Sequence, residues 1–279
     1  MRGNLCYGMD LGDMKRKVKE GRKANRGFDR VLLCIGSVFL VVFLAAGYFL
    51  LRYYGAYQSQ KELDDTVAAL REVPQESGRE GGHNADDNGA WQEIYERNFI
   101  RLKAMNPDYM AWITVPDTDI YYPVVQRDNS YYLNHDFKQQ VNSHGAIFMD
   151  ESCSQDDGVI LLHGHHMKDG TMFGGLKKYK REKFRQEHDI LYLDWGNGDE
   201  TYKVFAAALI DLTDEEYFHY NELPDKDEDT EEYLRELKRN SFWYDDNIEI
   251  DGQVVLLSTC EYGTAEQRLV IGAVAKEVR

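Results

Sequence analysis

The chain has 279 residues, of which 33 are Lys or Arg and 49 are Asp or Glu, so its net charge is −16 at pH 7. A surface this acidic repels the phosphate backbone of nucleic acids, and the composition therefore argues against a nucleic-acid partner. The four cysteines are too few for a fold held together mainly by disulfides.

The first notable segment runs from Val31 to Leu51, contains no charged residue and is rich in Val, Leu, Phe and Ile. As a helix rising about 1.5 Å per residue, it is long enough to cross a hydrocarbon core of roughly 30 Å. Residues 1–30 are rich in Lys and Arg, which the positive-inside rule places in the cytoplasm. We therefore predict a basic cytoplasmic segment (1–30), a transmembrane signal anchor (31–51) in the cell membrane and an extracellular remainder. A cleaved signal peptide is the alternative, but the apolar run is long for one and no small-x-small cleavage site follows it.

After the membrane segment, residues 52–90 are predicted to form an extracellular stalk and linker. From Gln58 to about Val73 the charges have helical spacing, with apolar residues at Leu63, Val67 and Leu70, which predicts an exposed helix. Residues 76–88 are Gly-rich and typical of a flexible linker. The rest of the chain, residues 91–279, is long enough for one globular domain with a sizeable core.

Within that domain the apolar spacing from Trp91 to Met105 predicts an amphipathic helix. Short apolar runs broken by Pro, Gly, Asn and Asp then predict about eight strands, and hence a β-barrel or a β-sandwich. A capping box at Asp229-Thr230-Glu231-Glu232 predicts a second helix late in the series. The predicted strands are 112–115, 121–125, 146–149, 159–162, 190–193, 202–210, 254–260 and 268–274.

Three side chains near strand ends are candidates for chemistry. Cys260 follows the apolar run Val254–Leu257, and Arg268 lies on the next predicted strand, from which it could face the cysteine. His165 follows the apolar run 159–162, so it is predicted at or just past a strand end. A nearby imidazolium lowers the pKa of a thiol and can protonate a leaving group, and an arginine can stabilise an oxyanion. These residue types together indicate acyl transfer through a thioester.

Other readings of these residues are weaker. A Cys153–Cys260 disulfide is one alternative for the two exterior cysteines. His163, His165 and His166 could bind zinc, but alternation along a strand puts His166 on the other face. Residues 225–236 have acidic residues at several EF-hand positions, but Thr230 occupies the position that needs Gly. We therefore expect no metal and no cofactor, and interpret 225–232 as a solvated acidic connection.

Six motifs in order resemble class B sortases of Gram-positive bacteria. The resemblance extends from about residue 91 to the end of the chain. The motifs are 106–113 (NPDYMAWI), 122–126 (YPVVQ), 128–133 (DNSYYL), 145–150 (GAIFMD), 164–173 (GHHMKDGTMF) and 257–260 (LSTC).

This resemblance implies a mainly β fold: an eight-stranded sortase barrel with an N-terminal helix and a helix between the sixth and seventh strands. It also implies a transpeptidase that cleaves a C-terminal sorting signal (NPxTx-like or SPxTx-like) after Thr. The acyl group would pass to an amine of a peptidoglycan precursor or a pilin. The implied partners are surface proteins that carry such a signal.

Carried over to this sequence, the resemblance makes Cys260 the nucleophile, His165 the acid and base, and Arg268 the group that holds the substrate carbonyl or oxyanion. Asn129, Ser258 and Glu261 match positions near the substrate groove. His163 stands where class B members commonly have Tyr, so the substrate contacts of that wall differ. The alternative function is a surface interaction protein with the same barrel and no turnover, in which Cys260 would be structural.

Overall fold

The computed structural model describes residues 11–71, 85–214, 217–224, 230–261 and 264–276. The chain divides into two compact units, Met1–Ser59 and Gln60–Arg279. The helices are α1 (Leu11–Ala68), α2 (Ala85–Met105), α3 (Glu182–Glu187) and α4 (Thr230–Asn240), with 3-10 helices at Tyr131–Leu133 and Phe173–Lys180. The strands are β1 (Tyr109–Val115), β2 (Ile120–Gln126), β3 (Ile147–Met149), β4 (Val159–His163), β5 (Ile190–Asp194), β6 (Asp199–Asp211), β7 (Ser241–Tyr244), β8 (Val254–Glu261) and β9 (Thr264–Lys276).

Eight of the nine strands in these described ranges form a closed β-barrel. The strands follow the order β5-β1-β2-β3-β4-β8-β9-β6, and β6 pairs back to β5. The short strand β7 adds to β6 outside this ring, beside its pairing with β9. The predicted eight-stranded barrel is therefore confirmed, and the sandwich alternative is wrong because the sheet leaves no open pair of edges between β5 and β6.

The barrel interior follows directly from the apolar runs in the sequence. β4 and β8 are parallel neighbours, and Val254–Leu257 and Ile160–Leu162 are at most 1% exposed. Strands that are buried on both faces have continuous apolar runs rather than alternating ones. The largest apolar cluster fills the barrel and includes these two strands together with β9 and the central part of β6.

A second apolar cluster lies on the outer face of β1, β2 and β3. Its buried members are Leu63, Val67, Leu102, Tyr109, Trp112, Val125, Tyr132, Phe137, Ala146 and Phe148. Residues 60–71 therefore contribute to the core of the second unit. The prediction of an exposed stalk helix is wrong for this stretch, because Leu63 and Val67 lie against barrel residues instead of facing solvent.

The segment after α1 is also held by a buried ion pair. Arg71 is 6% exposed, and its Nη2 lies 3.2 Å from Asp194 Oδ2 and 2.6 Å from Asp199 Oδ1. Nη1 donates to the Tyr121 hydroxyl at 3.3 Å, and the guanidinium lies 5.7 Å from the Trp112 ring centroid. Strands β1, β2, β5 and β6 therefore all contact this one side chain.

The remaining helix predictions are largely confirmed. α4 begins at Thr230 and buries Tyr233 and Leu237, in the connection between β6 and the strand that carries Cys260. α2 begins at Ala85, earlier than the predicted Trp91. Residues 72–84 and 225–229 lie outside the described residues, and with them most of the predicted linker and of the EF-hand-like acidic run.

In the first unit, the described part of α1 contains one stretch, beginning at Leu32, that is long and apolar enough to cross a membrane. Its large apolar side chains are exposed, including Phe39, Phe43 and Leu51. This matches the length and composition of the predicted anchor.

We predict that Arg71→Met destabilises the second unit by about 3–5 kcal/mol, because removing one partner leaves the buried Asp194 carboxylate uncompensated. Urea unfolding of the variant and the wild type would measure this difference. Arg235→Met is the matched control, since the Arg235–Glu232 pair is solvent-exposed and such pairs contribute about 0–1 kcal/mol. Equal losses in the two variants would contradict the prediction.

We also predict that Asp64→Asn stabilises the protein in a pH-dependent way. Burial raises the pKa of Asp64 from 3.8 to about 7, although Gln60 donates a hydrogen bond to it. Because the folded-state pKa is raised, the stability that the protonated carboxyl contributes is complete below pH 4 and is lost as the pH rises to about 7. The variant should therefore melt above the wild type at pH 8 and with it at pH 4. Asp65→Asn, at an exposed neighbour on the same helix, should show no such divergence.

Candidate functional site

A cleft forms where β4 and β8 end side by side. The two strands are parallel, and their register pairs Leu162 with Leu257 and His163 with Ser258. Because parallel strands run in the same direction, the polar residues that follow both apolar runs emerge at the same end of the barrel. The cleft has a volume of about 250 Å³ and is lined by Asn129, Leu133, Phe148, Asp150, His163, Gly164, His165, Tyr220, Asn221, Ser258, Thr259 and Arg268.

His165 lies two residues past the end of β4, as the sequence predicted. Its backbone is fixed from two sides, because Gly164 N donates to Ser258 O at 3.1 Å and His165 O accepts from Phe173 N at 3.0 Å. Its ring Nε2 lies 2.6 Å from the carbonyl oxygen of Leu133. Since a carbonyl only accepts, Nε2 must carry the proton, and in the neutral ring Nδ1 is then the nitrogen able to take up a proton.

Two glycines allow the chain to approach this histidine closely. Gly145 has a φ of 62°, and a Cβ there would lie 2.4 Å from Tyr132 O and 3.2 Å from His165 Cδ2. A Cβ on Gly164 would lie 2.5 Å from Ile147 Cδ1. A larger residue at either position would force the neighbouring atoms to move. Gly145 also has a left-handed backbone conformation that favours glycine.

Cys260 and Arg268 are direct neighbours across the β8–β9 pair. Their Cα atoms are register partners, as predicted from the spacing of the two apolar runs. Arg268 is half-buried and lines the cleft, and its Nη1 donates to Gln267 O at 3.2 Å. The side chains of Cys260 and Glu261 are not among those that the structure describes. The backbone nevertheless brings Cys260 to the same barrel end as His165.

His163 is held by a carboxylate in the cleft wall. Its Nε2 lies 2.9 Å from Asp150 Oδ2, which also accepts from Asn129 Nδ2 at 2.9 Å. Asp150 Oδ1 accepts from the backbone and hydroxyl of Ser152. Burial opposes ionisation of Asp150, but the hydrogen bonds from His163 and Ser152 outweigh it and lower its pKa to about 2. Asp150 is therefore an anion at physiological pH, and it orients both His163 and Asn129.

Ser258 and Thr259 form the β8 side of the cleft. Ser258 is buried, and its hydroxyl donates to the Tyr220 hydroxyl at 3.1 Å. Thr259 is 2% exposed, and its hydroxyl has no hydrogen-bond partner within the described residues. A buried hydroxyl without a partner costs free energy.

Sequence reasoning missed Asp150, Tyr220, Leu133 and Thr259 as members of the site. For Asp150 a signal existed, since a carboxylate directly after the buried strand Ile147–Met149 is costly unless it has partners. Leu133 contributes only its carbonyl oxygen, which no side-chain pattern can reveal.

The structure contradicts the disulfide alternative, and the two cleft histidines direct their Nε2 atoms to other partners. Cys153 is a free, buried thiol whose pKa burial raises to about 12, so the Cys153–Cys260 disulfide is wrong. His163 and His165 direct Nε2 to Asp150 and to Leu133 O respectively. Across the described ranges no three His, Cys, Asp or Glu side chains group closely enough to bind a metal ion.

Comparison with known proteins gives the family. A model of the sortase domain matches residues 113–276, more than half of the chain. Sortase B of Staphylococcus aureus is 33% identical over 192 residues, which are 67% of this chain and 78% of that protein. Sortase B of Listeria monocytogenes is 34% identical over 165 residues, which are 57% of this chain and 65% of that protein, so the chain spans slightly less than two thirds of its length.

A solved structure agrees with these relatives. The Staphylococcus aureus sortase B–substrate complex superposes with a TM-score of 0.59 at 31% identity, covering 66% of this chain and 87% of that one. The chain is thus similar to sortase B of Staphylococcus aureus in both sequence and fold. The chain therefore belongs to the sortase family, and within it to class B.

Proposed function

We propose that the protein is a membrane-anchored transpeptidase that cleaves a C-terminal sorting signal after Thr and transfers the acyl group to an amine. The observation that carries this proposal is the backbone register at one end of the barrel. It pairs Cys260 with Arg268 and places β4, which leads into His165, alongside β8. A nucleophile, an acid and base, and a fixed cation are the groups that acyl transfer requires.

In the first half-reaction the Cys260 thiolate attacks the carbonyl carbon of the scissile peptide bond. The carbonyl electrons move to the oxygen, and the Arg268 guanidinium stabilises that oxyanion. The C–N bond then breaks, and protonated His165 donates its proton from Nδ1 to the departing amine, since Nε2–H is committed to Leu133 O. The acyl group remains on sulfur as a thioester.

In the second half-reaction an acceptor amine replaces the leaving peptide. Neutral His165 removes a proton from that amine as its nitrogen attacks the thioester carbon. The C–S bond breaks, Cys260 leaves as the thiolate, and a new amide forms. The protons balance over the two half-reactions, because His165 donates one to the departing amine in the first and takes one from the acceptor amine in the second.

The substrate groove is proposed to include Asn129, His163, Ser258 and Glu261. Asn129 and His163 line the cleft and are oriented by Asp150, which supports a role in binding polar groups of the signal. Ser258 lines the opposite side. A relative is known in complex with its substrate, and we propose an NPxTx-like or SPxTx-like signal on surface proteins for this chain. The acceptor is proposed to be an amine of a peptidoglycan precursor or of a pilin.

The exposed apolar face of α1 supports a membrane anchor. Side chains such as Phe39 and Phe43 gain free energy when lipid replaces water around them. The basic residues before the anchor place residues 1–30 in the cytoplasm, so we propose that residues 31–51 span the cell membrane and that the catalytic domain is extracellular. A sorting signal on a protein already exported would then meet the cleft directly.

The decisive experiment is mass spectrometry of the full chain in detergent, incubated with a library of sorting-signal peptides. We expect an acyl adduct on Cys260 that disappears when an amine acceptor is added. Cys260→Ala should remove the adduct because it removes the proposed nucleophile. Cys153→Ala is the matched control: it replaces a buried cysteine of the same unit and should keep the adduct.

A different outcome would favour the alternative function. If Cys260 reacts with an alkylating reagent but no peptide in the library acylates it, while the peptides still bind, the protein is a surface interaction protein without turnover.

A side chain at position 145 should lower activity, because its Cβ would lie 3.2 Å from His165 Cδ2 and would displace the ring. We predict that Gly145→Ala lowers the acylation rate at least about 100-fold, since a shift of about 1 Å in a catalytic group has that effect. Gly158→Ala is the matched control, because a Cβ there meets no atom within 4 Å. Comparable rates for the two variants, both folded by circular dichroism, would show that the close contact with His165 is unimportant.

A further inference from the structure

One stretch outside the barrel holds His165 from two directions, and we name it the clamp segment, residues 131–146. Its first part supplies the Leu133 carbonyl that accepts from His165 Nε2, and its last part brings Gly145 against the same ring. The two parts are tied together, because Ala146 N donates to Tyr132 O at 3.0 Å and Asn142 N donates to Asn134 O at 2.8 Å. The clamp segment therefore restricts movement of the His165 ring.

The side chain of Asn142 stabilises the turn that carries Gly145. Its Oδ1 accepts from the backbone N of His144 at 3.0 Å, and Gly145 N donates to the backbone O of Asn142 at 3.1 Å. Its amide nitrogen points away from the clamp segment and donates to Gln60 Oε1 at 2.6 Å. Asn142 thus links the clamp segment to Gln60, which lies in the last part of α1.

Gln60 is built into this contact and does not face solvent. It is 2% exposed, and both ends of its amide are used, since Nε2 donates to Asp64 Oδ1 at 2.7 Å while Oε1 accepts from Asn142. A buried polar group that loses its partner costs about 1–3 kcal/mol. The two hydrogen bonds that join Asp64, Gln60 and Asn142 therefore form a specific docking contact.

Apolar packing supports the same contact. Leu63 and Val67, one and two turns beyond Gln60, lie in one buried cluster with Tyr132 and Ala146 of the clamp segment. Helical spacing puts these residues on the face of α1 that carries Gln60. The end of α1 thus meets both parts of the clamp segment, through the amide of Gln60 and through these apolar side chains.

We propose that Gln60 is a positioning residue for the reaction: by docking the end of α1 on Asn142, it holds the clamp segment and thereby the ring of His165 in its working position. The proposal rests on the function proposed above for His165. Gln60 touches neither His165 nor the cleft, so its effect is transmitted entirely through the clamp segment. The last part of α1, from Gln60 to Ala68, is accordingly a support for His165.

The physical reason is that proton transfer tolerates only a small change in the distance between the two groups. An acid or base must lie within hydrogen-bond reach of the proton that it moves. Displacement of His165 by a fraction of an ångström slows both half-reactions, while groove residues on other segments, such as Ser258 on β8, keep their contacts with the signal. Loss of Gln60 should therefore lower kcat per folded molecule and leave KM largely unchanged. Because loss of folded enzyme also lowers the apparent kcat at constant KM, kcat is referred to the folded protein, and the ring signals of His165 are measured as a second readout.

The test is Gln60→Ala in the full chain in detergent, assayed below the melting temperature with the sorting-signal peptide that acylates the wild type. We expect kcat to fall about tenfold with KM within about twofold. We also expect the nitrogen chemical shifts of the His165 ring to change, as the hydrogen bond to Leu133 O weakens. The His165 signal is identified by its absence in His165→Gln.

Two controls separate positioning from stability. Gln58→Ala replaces an exposed glutamine of the same helix and should leave kcat and the His165 shifts unchanged. Ile113→Val trims the barrel core on β1, away from the clamp segment, and supplies a destabilised variant for comparison. If Gln60→Ala changes kcat no more than Ile113→Val does, or changes KM alone, the proposal is wrong.

The ring shifts also separate this proposal from the proposed function. If the wild type forms no thioester with any peptide but Gln60→Ala still changes the His165 shifts and Gln58→Ala does not, the coupling exists and the transpeptidase proposal fails. If turnover is normal in Gln60→Ala and its His165 shifts equal those of the wild type, the coupling proposal fails while the transpeptidase proposal stands.

Discussion

The parallel pairing of β4 with β8 is the constraint on which the site depends. Parallel strands end at the same edge, so the residues that follow two distant apolar runs, near His165 and Cys260, meet without any further device. The register of this pair places His163 opposite Ser258, directly after the two buried runs. The β8–β9 hairpin then adds Arg268 through local register alone.

Around this edge the site is completed by charges and carbonyl groups that the barrel itself does not supply. Asp150, directly after β3, stays ionised because His163 and Ser152 donate hydrogen bonds to it. The Leu133 carbonyl sets the tautomer of His165. Both supports lie between β2 and β4, in the stretch that packs on the outer face of the barrel, which explains why that face carries its own apolar cluster.

The outer cluster changes the role of the chain before the barrel. Residues 60–71 bury Leu63, Val67 and Arg71 against strands and against the segment beside His165. A segment that contributes to the core, pairs with the buried Asp194 carboxylate and contacts the clamp segment cannot vary as freely as a spacer. Its buried carboxyl, Asp64, also makes this contact sensitive to pH near neutrality. Residues 60–71, the barrel and the segment beside His165 are thus connected by ordinary packing within the second unit.

The apolar runs and their spacing, which are local patterns, predicted the eight barrel strands, the membrane-sized helix and the position of Arg268 on the strand after Cys260. The choice of a barrel over a sandwich came from the family resemblance, and the short strand β7 was not predicted. The tertiary structure decided what those patterns contact. Helical spacing at Leu63 and Val67 predicts an apolar face but not the barrel residues that cover it. The same limit applies to Asp150 and the Leu133 carbonyl, whose roles depend on groups that are distant in sequence and close only after the barrel has closed.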